Sequence, residues 1–166
     1  GGGFGGSTNG VMGAFYSATI AHGGHVTGVI PKLLIEKEQP VEGVSDEYEL
    51  VVVDNMYERK RKFRELSDGF AVLPGGCGTL DEIFEELTGV QIGDHLMPLV
   101  LVNVLGFWNP LLELLEHLRR HKFVRPGLEF DQLFAVVDHV EDVLPNLRRM
   151  AGETNVVDIA GHRAAG

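Results

Sequence analysis

Three glycines, a hydroxyl, a thiol and two carboxylates are packed into one short stretch, Pro74-Gly75-Gly76-Cys77-Gly78-Thr79-Leu80-Asp81-Glu82. The glycines permit positive φ and put no Cβ between the backbone and a ligand. A helical pattern follows at Leu80, Ile83, Phe84 and Leu87. The turn therefore opens a helix whose first N–H groups have no intrahelical acceptor and whose dipole is positive at that end. An anion fits such a turn, and phosphate is the commonest. Thr79 can cap the helix and give its hydroxyl to the same anion. Asp81 and Glu82 are not needed to hold a phosphate, and Coulomb repulsion opposes them there. They point to work on another part of the ligand, such as a sugar. A plainer reading makes Thr79, Asp81 and Glu82 a cap and a dipole complement, but it leaves Gly75, Gly76 and Gly78 unexplained. No Gly-Lys-Ser/Thr follows, so this is not a Walker loop, and the glycine spacing is not the dinucleotide fingerprint.

Other reactive residues are more scattered. Arg59 and Lys60 sit about one turn into a basic helix, Met56 to Leu66. Most of that charge reads as a solvated face, with Arg59 or Lys60 able to point over a sheet edge. Cys77 at a helix start would have a lowered pKa and be a candidate nucleophile; no histidine lies beside it in sequence, and a filler is the plainer reading. His117 and His121 have the i, i+4 spacing of a metal pair, yet no acid accompanies them in a metalloprotease pattern, which favours a solvated helix end. Trp108 either stacks on a base or packs the core, and core is the default.

The elements that must hold these residues alternate in type. His25–Ile30 reads as a strand stopped by Pro31, Tyr48–Val53 as a second, Gly69–Leu73 as a third, Pro98–Asn103 as a fourth and Leu133–Asp138 as the last. The near-continuous apolar run of the fourth is what a strand covered on both faces looks like. Between them come a helix from Val11 ending at Gly23-Gly24, the Met56–Leu66 helix capped by Asp54 or Asn55, and a leucine-rich helix opened by Asn109-Pro110. Its Leu111–Leu118 stripe suits a mixture of core and dimer face. A final helix spans Val140–Met150 with Pro145 inside it, and residues 151–166 read as a flexible tail. Lys32 to Asp46 is a long polar connection of the kind that often carries function. This alternation predicts an α/β fold, a doubly wound parallel sheet with right-handed crossovers, in one domain over residues 1–150. The opening glycine run, Gly1 to Gly10, reads either as a flexible leader or as a phosphate-type loop whose strand precedes the chain.

The 166 residues suit a single core, and a net charge of −10 argues against non-specific binding to nucleic acid or to an anionic membrane. Cys77 is the only cysteine, which rules out an intrachain disulfide and a zinc ribbon. No stretch is apolar enough to span a bilayer, and a cytoplasmic address is the default expectation.

Met56-Tyr57-Glu58-Arg59-Lys60 followed by Pro74 to Glu82 resembles the Lonely Guy family of cytokinin-activating phosphoribohydrolases, whose members often carry the label possible lysine decarboxylase. The family pattern is a Met-x-x-Arg-Lys helix start and then Pro-Gly-Gly-x-Gly-Thr-x-x-Glu. Gly24 with Val29-Ile30-Pro31-Lys32, Glu38, and Leu101 to Trp108 are similar to family segments, so the likeness runs over Gly1 to Met150. It implies a Rossmann-like fold in a homodimer, and hydrolysis of the N-glycosidic bond of a nucleoside 5′-monophosphate to free base and ribose 5-phosphate. The substrate would be a cytokinin riboside monophosphate, AMP or both, with no metal or redox cofactor. Arg59 and Glu82 match the pair taken as catalytic. Lys60, Gly75, Gly76, Cys77, Gly78, Thr79 and Asp81 match positions around the substrate, and Glu38 matches an acidic position that contacts it. The chain departs at Cys77, where many relatives have tyrosine, at Asp81, where many have glutamate, and in a longer glycine run. The family's first strands and helix, with a Gly-Ser-Ser turn, have no counterpart in this chain.

Cleavage of a ribosyl–base bond passes through an oxocarbenium-like sugar. A carboxylate near the ribose stabilises that charge and positions or activates water, a role that falls to Glu82, with Asp81 on ribose hydroxyls. Arg59 would orient Glu82, bind the phosphate or meet the departing base. Two rival readings are a non-catalytic nucleotide or molybdenum-cofactor carrier, and the old decarboxylase label. Decarboxylation of that kind uses pyridoxal phosphate on a lysine, and no lysine here has a fitting setting.

Overall fold

The computed structural model describes residues 1–6, 10–38, 40, 46–124 and 130–161. The chain forms two compact units, Gly1–Ser67 and Asp68–Gly166.

The first unit contains β1 (Gly2–Phe4), α1 (Gly10–Ala21), β2 (Val26–Pro31), a 3₁₀ turn at Lys32–Leu34 running into α2 (Ile35–Glu38), β3 (Tyr48–Val53) and α3 (Met56–Leu66). Its strands pair in parallel in the order β1-β2-β3. Gly2 aligns with Val26 and Val26 with Tyr48. β2 is the central strand, and its Val26, Val29 and Ile30 are buried. Phe4, Val26 and Tyr48 form a core with Met12, Phe15, Tyr16 and Ile20 of α1. The Tyr16 ring meets Tyr48 edge-on at 5.2 Å. Burial pushes the Tyr48 phenol up to about 12, with Tyr16 adding to the shift. Within the opening glycine run, where a flexible leader or a loop was expected, Gly2–Phe4 forms a strand paired in parallel with β2.

The second unit contains β4 (Phe70–Val72), α4 (Cys77–Ile92), β5 (Leu99–Val102), α5 (Asn109–Arg120), α6 (Phe130–Leu133), β6 (Ala135–Val137) and α7 (Val143–Gly161). The strands are again parallel, in the order β4-β5-β6. Successive side chains of a strand face opposite ways. Leu99 and Leu101 of β5 accordingly join Ile83, Leu87, Leu111 and Leu115 of α4 and α5. Val100 and Val102 join Val143 and Met150 of α7. Helices thus cover both faces of β5, the doubly wound arrangement.

The architecture is α/β and Rossmann-like, with its paired strands grouped in two three-stranded parallel sheets rather than one. Leu133 belongs to α6 and is core, so the last strand is shorter than its apolar run. α7 continues past Met150 to Gly161, where composition suggested a tail. Pro145 is tolerated as the third residue of α7 because first-turn N–H groups have no intrahelical acceptor to lose. Among the described residues no helix is long and apolar enough to cross a membrane.

Candidate active site

β4 delivers the chain into Leu73-Pro74-Gly75-Gly76, and α4 starts at Cys77 with Gly76 as its N-cap. Leu80 N–H donates to Gly76 O at 3.0 Å. The N–H groups of Cys77, Gly78 and Thr79 precede that bond, so helix geometry gives them no intrahelical acceptor. A Cβ built on Gly76 or Gly78 would meet nothing within 4 Å. The space above these two residues is open, and a ligand can approach the backbone closely there. Neither glycine uses positive φ; absence of a side chain is what matters. Gly75 serves the fold instead, since its Cβ would lie 2.1 Å from Thr79 Oγ1.

Thr79 is not the cap. It is the third residue of α4, and its hydroxyl lies back against Gly75, beside the open turn. Asp81 is exposed and Glu82 half-buried. The first turn of α4 holds no acid, so dipole complementation, which fades beyond one turn, does not account for them. Glu82 stands four residues after Gly78, one helical turn above the open site. Cys77, the first residue of the helix, is exposed.

Arg59 and Lys60 belong to the first unit. Asn55 caps α3 by accepting from Glu58 N at 2.9 Å, while Glu58 Oε2 accepts from Asp54 N at 3.0 Å. These two bonds, one to the cap and one to the residue before it, fix the helix start immediately after β3. Arg61 and Lys62 pair with Glu65 on the surface, as a solvated face would. Arg59 departs from that pattern, being only 7% exposed. Its guanidinium lies 5.5 Å from the Phe63 ring centre, within cation–π range. Lys60 is half-buried. A buried arginine is rare without a task, because its charge is costly to desolvate. Lys32 and Asp54, just beyond β2 and β3, form an exposed ion pair that raises the lysine pKa. Glu38 ends α2, and its side chain lies outside the described residues.

Trp108 is core, 3% exposed and packed with Ile83 and Leu87. The exposed His117 and His121 rings stand 4.3 Å apart. Among the described residues no group of three His, Cys, Asp or Glu is placed to hold a metal. Three structural partners escaped the sequence reading. Gly5 accommodates Arg59, and the only hint of it was the glycine run. Asn103 clamps the loop after β5, a role that neither its place at the end of an apolar strand nor its membership of the Leu101 to Trp108 segment revealed. His95 approaches Glu86, a pairing that sequence spacing does not reveal.

The family model described as possible lysine decarboxylase matches residues 12–147. A cytokinin riboside 5′-monophosphate phosphoribohydrolase of Mycobacterium tuberculosis is 41% identical over 141 residues, covering 85% of this chain and 73% of that protein. One from Arabidopsis thaliana is 36% identical over 155 residues, covering 90% of this chain and 71% of the relative. One from Oryza sativa is 42% identical over 113 residues, and there the chain spans 68% of its own length and 46% of the relative's. With a model match across most of its length and relatives at this identity, the chain belongs to the possible lysine decarboxylase family, the one its two motifs resemble.

Proposed function

We propose that this protein hydrolyses the N-glycosidic bond of a nucleoside 5′-monophosphate, giving free base and ribose 5-phosphate. The observation that carries this reading is the open glycine turn at the start of α4 with Glu82 one turn above it. The 5′-phosphate takes the N–H groups of Cys77, Gly78 and Thr79 together with the Thr79 hydroxyl. Binding energy gained there holds the ribose in reactive geometry. Glu82 stabilises the oxocarbenium-like sugar and directs water to it, and Asp81 takes ribose hydroxyls. Arg59 joins the same reaction on the strength of its motif and its burial. Lys60 and Glu38 complete the substrate contacts. The names of the relatives support a cytokinin riboside 5′-monophosphate as substrate, with AMP as the simpler alternative. A homodimer is part of the same proposal.

The test is base release by wild type, Glu82→Gln and Arg59→Ala. Loss of about 100-fold or more in each variant supports the roles given. Wild-type rates in either would remove that residue from the mechanism. Tight monophosphate binding with no base released would instead mark a nucleotide or cofactor carrier.

A further inference from the structure

We propose that Leu105 is the apolar contact through which this protein recognises a hydrophobic substituent on the base of its nucleoside 5′-monophosphate. The inference rests on the phosphoribohydrolase reading of the glycine turn. Leu105 has φ 52 and ψ 26, the left-handed region that a branched apolar residue rarely takes. Its side chain is also fully exposed. Two unfavourable choices meet at one residue, and the surrounding loop is built to hold them. Asn103 Oδ1 accepts from Trp108 N at 2.7 Å, and Asn103 Nδ2 donates to Asn109 Oδ1 at 2.9 Å. Gly106 N donates to Asn103 O at 3.0 Å, and Phe107 N to Val104 O at 3.1 Å. Gly106 has φ +73, and a Cβ on it would meet Asn109 Nδ2 at 2.7 Å. Trp108 anchors the far end in the core. Strain held this firmly by its surroundings is characteristic of ligand clamps.

Position supplies the occupant. Val72 of β4 is in register with Leu101 of β5 in a parallel pair. The carboxyl end of β5, where Asn103 begins the loop, therefore lies beside the carboxyl end of β4, where the glycine turn begins. Ligands of open parallel sheets bind along that edge. The loop presents hydrocarbon there, with Val104 and Phe107 also exposed on either side of Leu105. It suits neither the phosphate nor the ribose. An alkyl or alkenyl group on the base is the part of the substrate it fits.

The experiment compares AMP with N6-isopentenyl-AMP in wild type, Leu105→Gly and Leu105→Met. Glycine relaxes the backbone, so the fold survives while the contact is lost. The ratio of kcat/KM for the isopentenyl substrate over AMP is expected to fall roughly tenfold in Leu105→Gly and to recover in Leu105→Met. An unchanged ratio in Leu105→Gly overturns the proposal. So does a shift from dimer to monomer on gel filtration with the ratio intact, which would make the loop an interface between copies. If wild type releases base from neither compound, the reaction reading fails on its own. The same ratio is then read from calorimetric affinities, and its insensitivity to Leu105→Gly again overturns the assignment.

Discussion

The Cβ that Gly5 lacks would lie 2.2 Å from the Arg59 guanidinium and 2.9 Å from Met12 Sδ. The opening glycine run and the basic helix, far apart in sequence, thus share one contact. Gly5 has no side chain so that a buried cation can lie across the loop after β1. Gly5→Ala should displace the flexible end of Arg59 and lower kcat at least tenfold. Steady-state kinetics with AMP checks this, and unaltered kcat would show that Arg59 keeps its place by other means.

Gly78 gives a prediction in which stability and binding move in opposite directions. It lies inside α4, and a Cβ there meets open space. Gly78→Ala should stabilise the fold by about 0.5–1 kcal/mol through helix propensity. The added methyl also enters the space that the proposed site gives to the phosphate, so KM for the monophosphate should rise roughly tenfold. Urea unfolding and kinetics on the same sample measure both, and a stabilised variant with normal KM would move the phosphate elsewhere.

Gly89 makes room for a histidine. His95 Nε2 approaches Glu86 Oε2 to 2.9 Å with both side chains nearly buried, while His95 Nδ1 accepts from Met97 N at 3.3 Å. Nε2 is thus the ring nitrogen that faces the carboxylate. A Cβ on Gly89 would strike His95 Nε2 at 2.4 Å. Gly89→Ala should destabilise the second unit by about 1–3 kcal/mol despite its better helix propensity, because the buried polar pair is driven apart. Chemical denaturation reads this directly, and a stabilised variant would show that the ring moves at no cost.

Tyr48 sets an alkaline limit. Its phenol has a pKa of about 12 when folded, against an ordinary value of 10. Between those values the unfolded chain releases the proton and the folded chain keeps it, so unfolding gains. Stability should be whole below pH 10 and decline as pH rises towards 12. Tyr48→Phe should remove that part of the decline in denaturant midpoints collected across the range.

Much of this arrangement was legible in the sequence because it depends on local rules. The Tyr48–Val53 strand and the Met56–Leu66 helix follow from valine content, a cap and a charge pattern, and the structure gives them the same bounds. The glycine turn was legible as an opening, since its meaning lies in side chains that are missing. Thr79 was misread as a cap because a hydroxyl near a helix start has two positions to choose from, and Gly76 took the cap itself. The burial of Arg59, the left-handed Leu105 and the His95–Glu86 approach were not legible. Each is fixed by tertiary packing against residues such as Gly5, Asn103 and Gly89, and sequence spacing carries no record of that.

The most direct test is incubation of purified protein with AMP and with isopentenyladenosine monophosphate, followed by chromatography for free base and ribose 5-phosphate. The account predicts equal amounts of both products from wild type and a loss of about 100-fold or more in Glu82→Gln. Intact monophosphate after long incubation with folded wild-type protein, or full base release by Glu82→Gln, would contradict it.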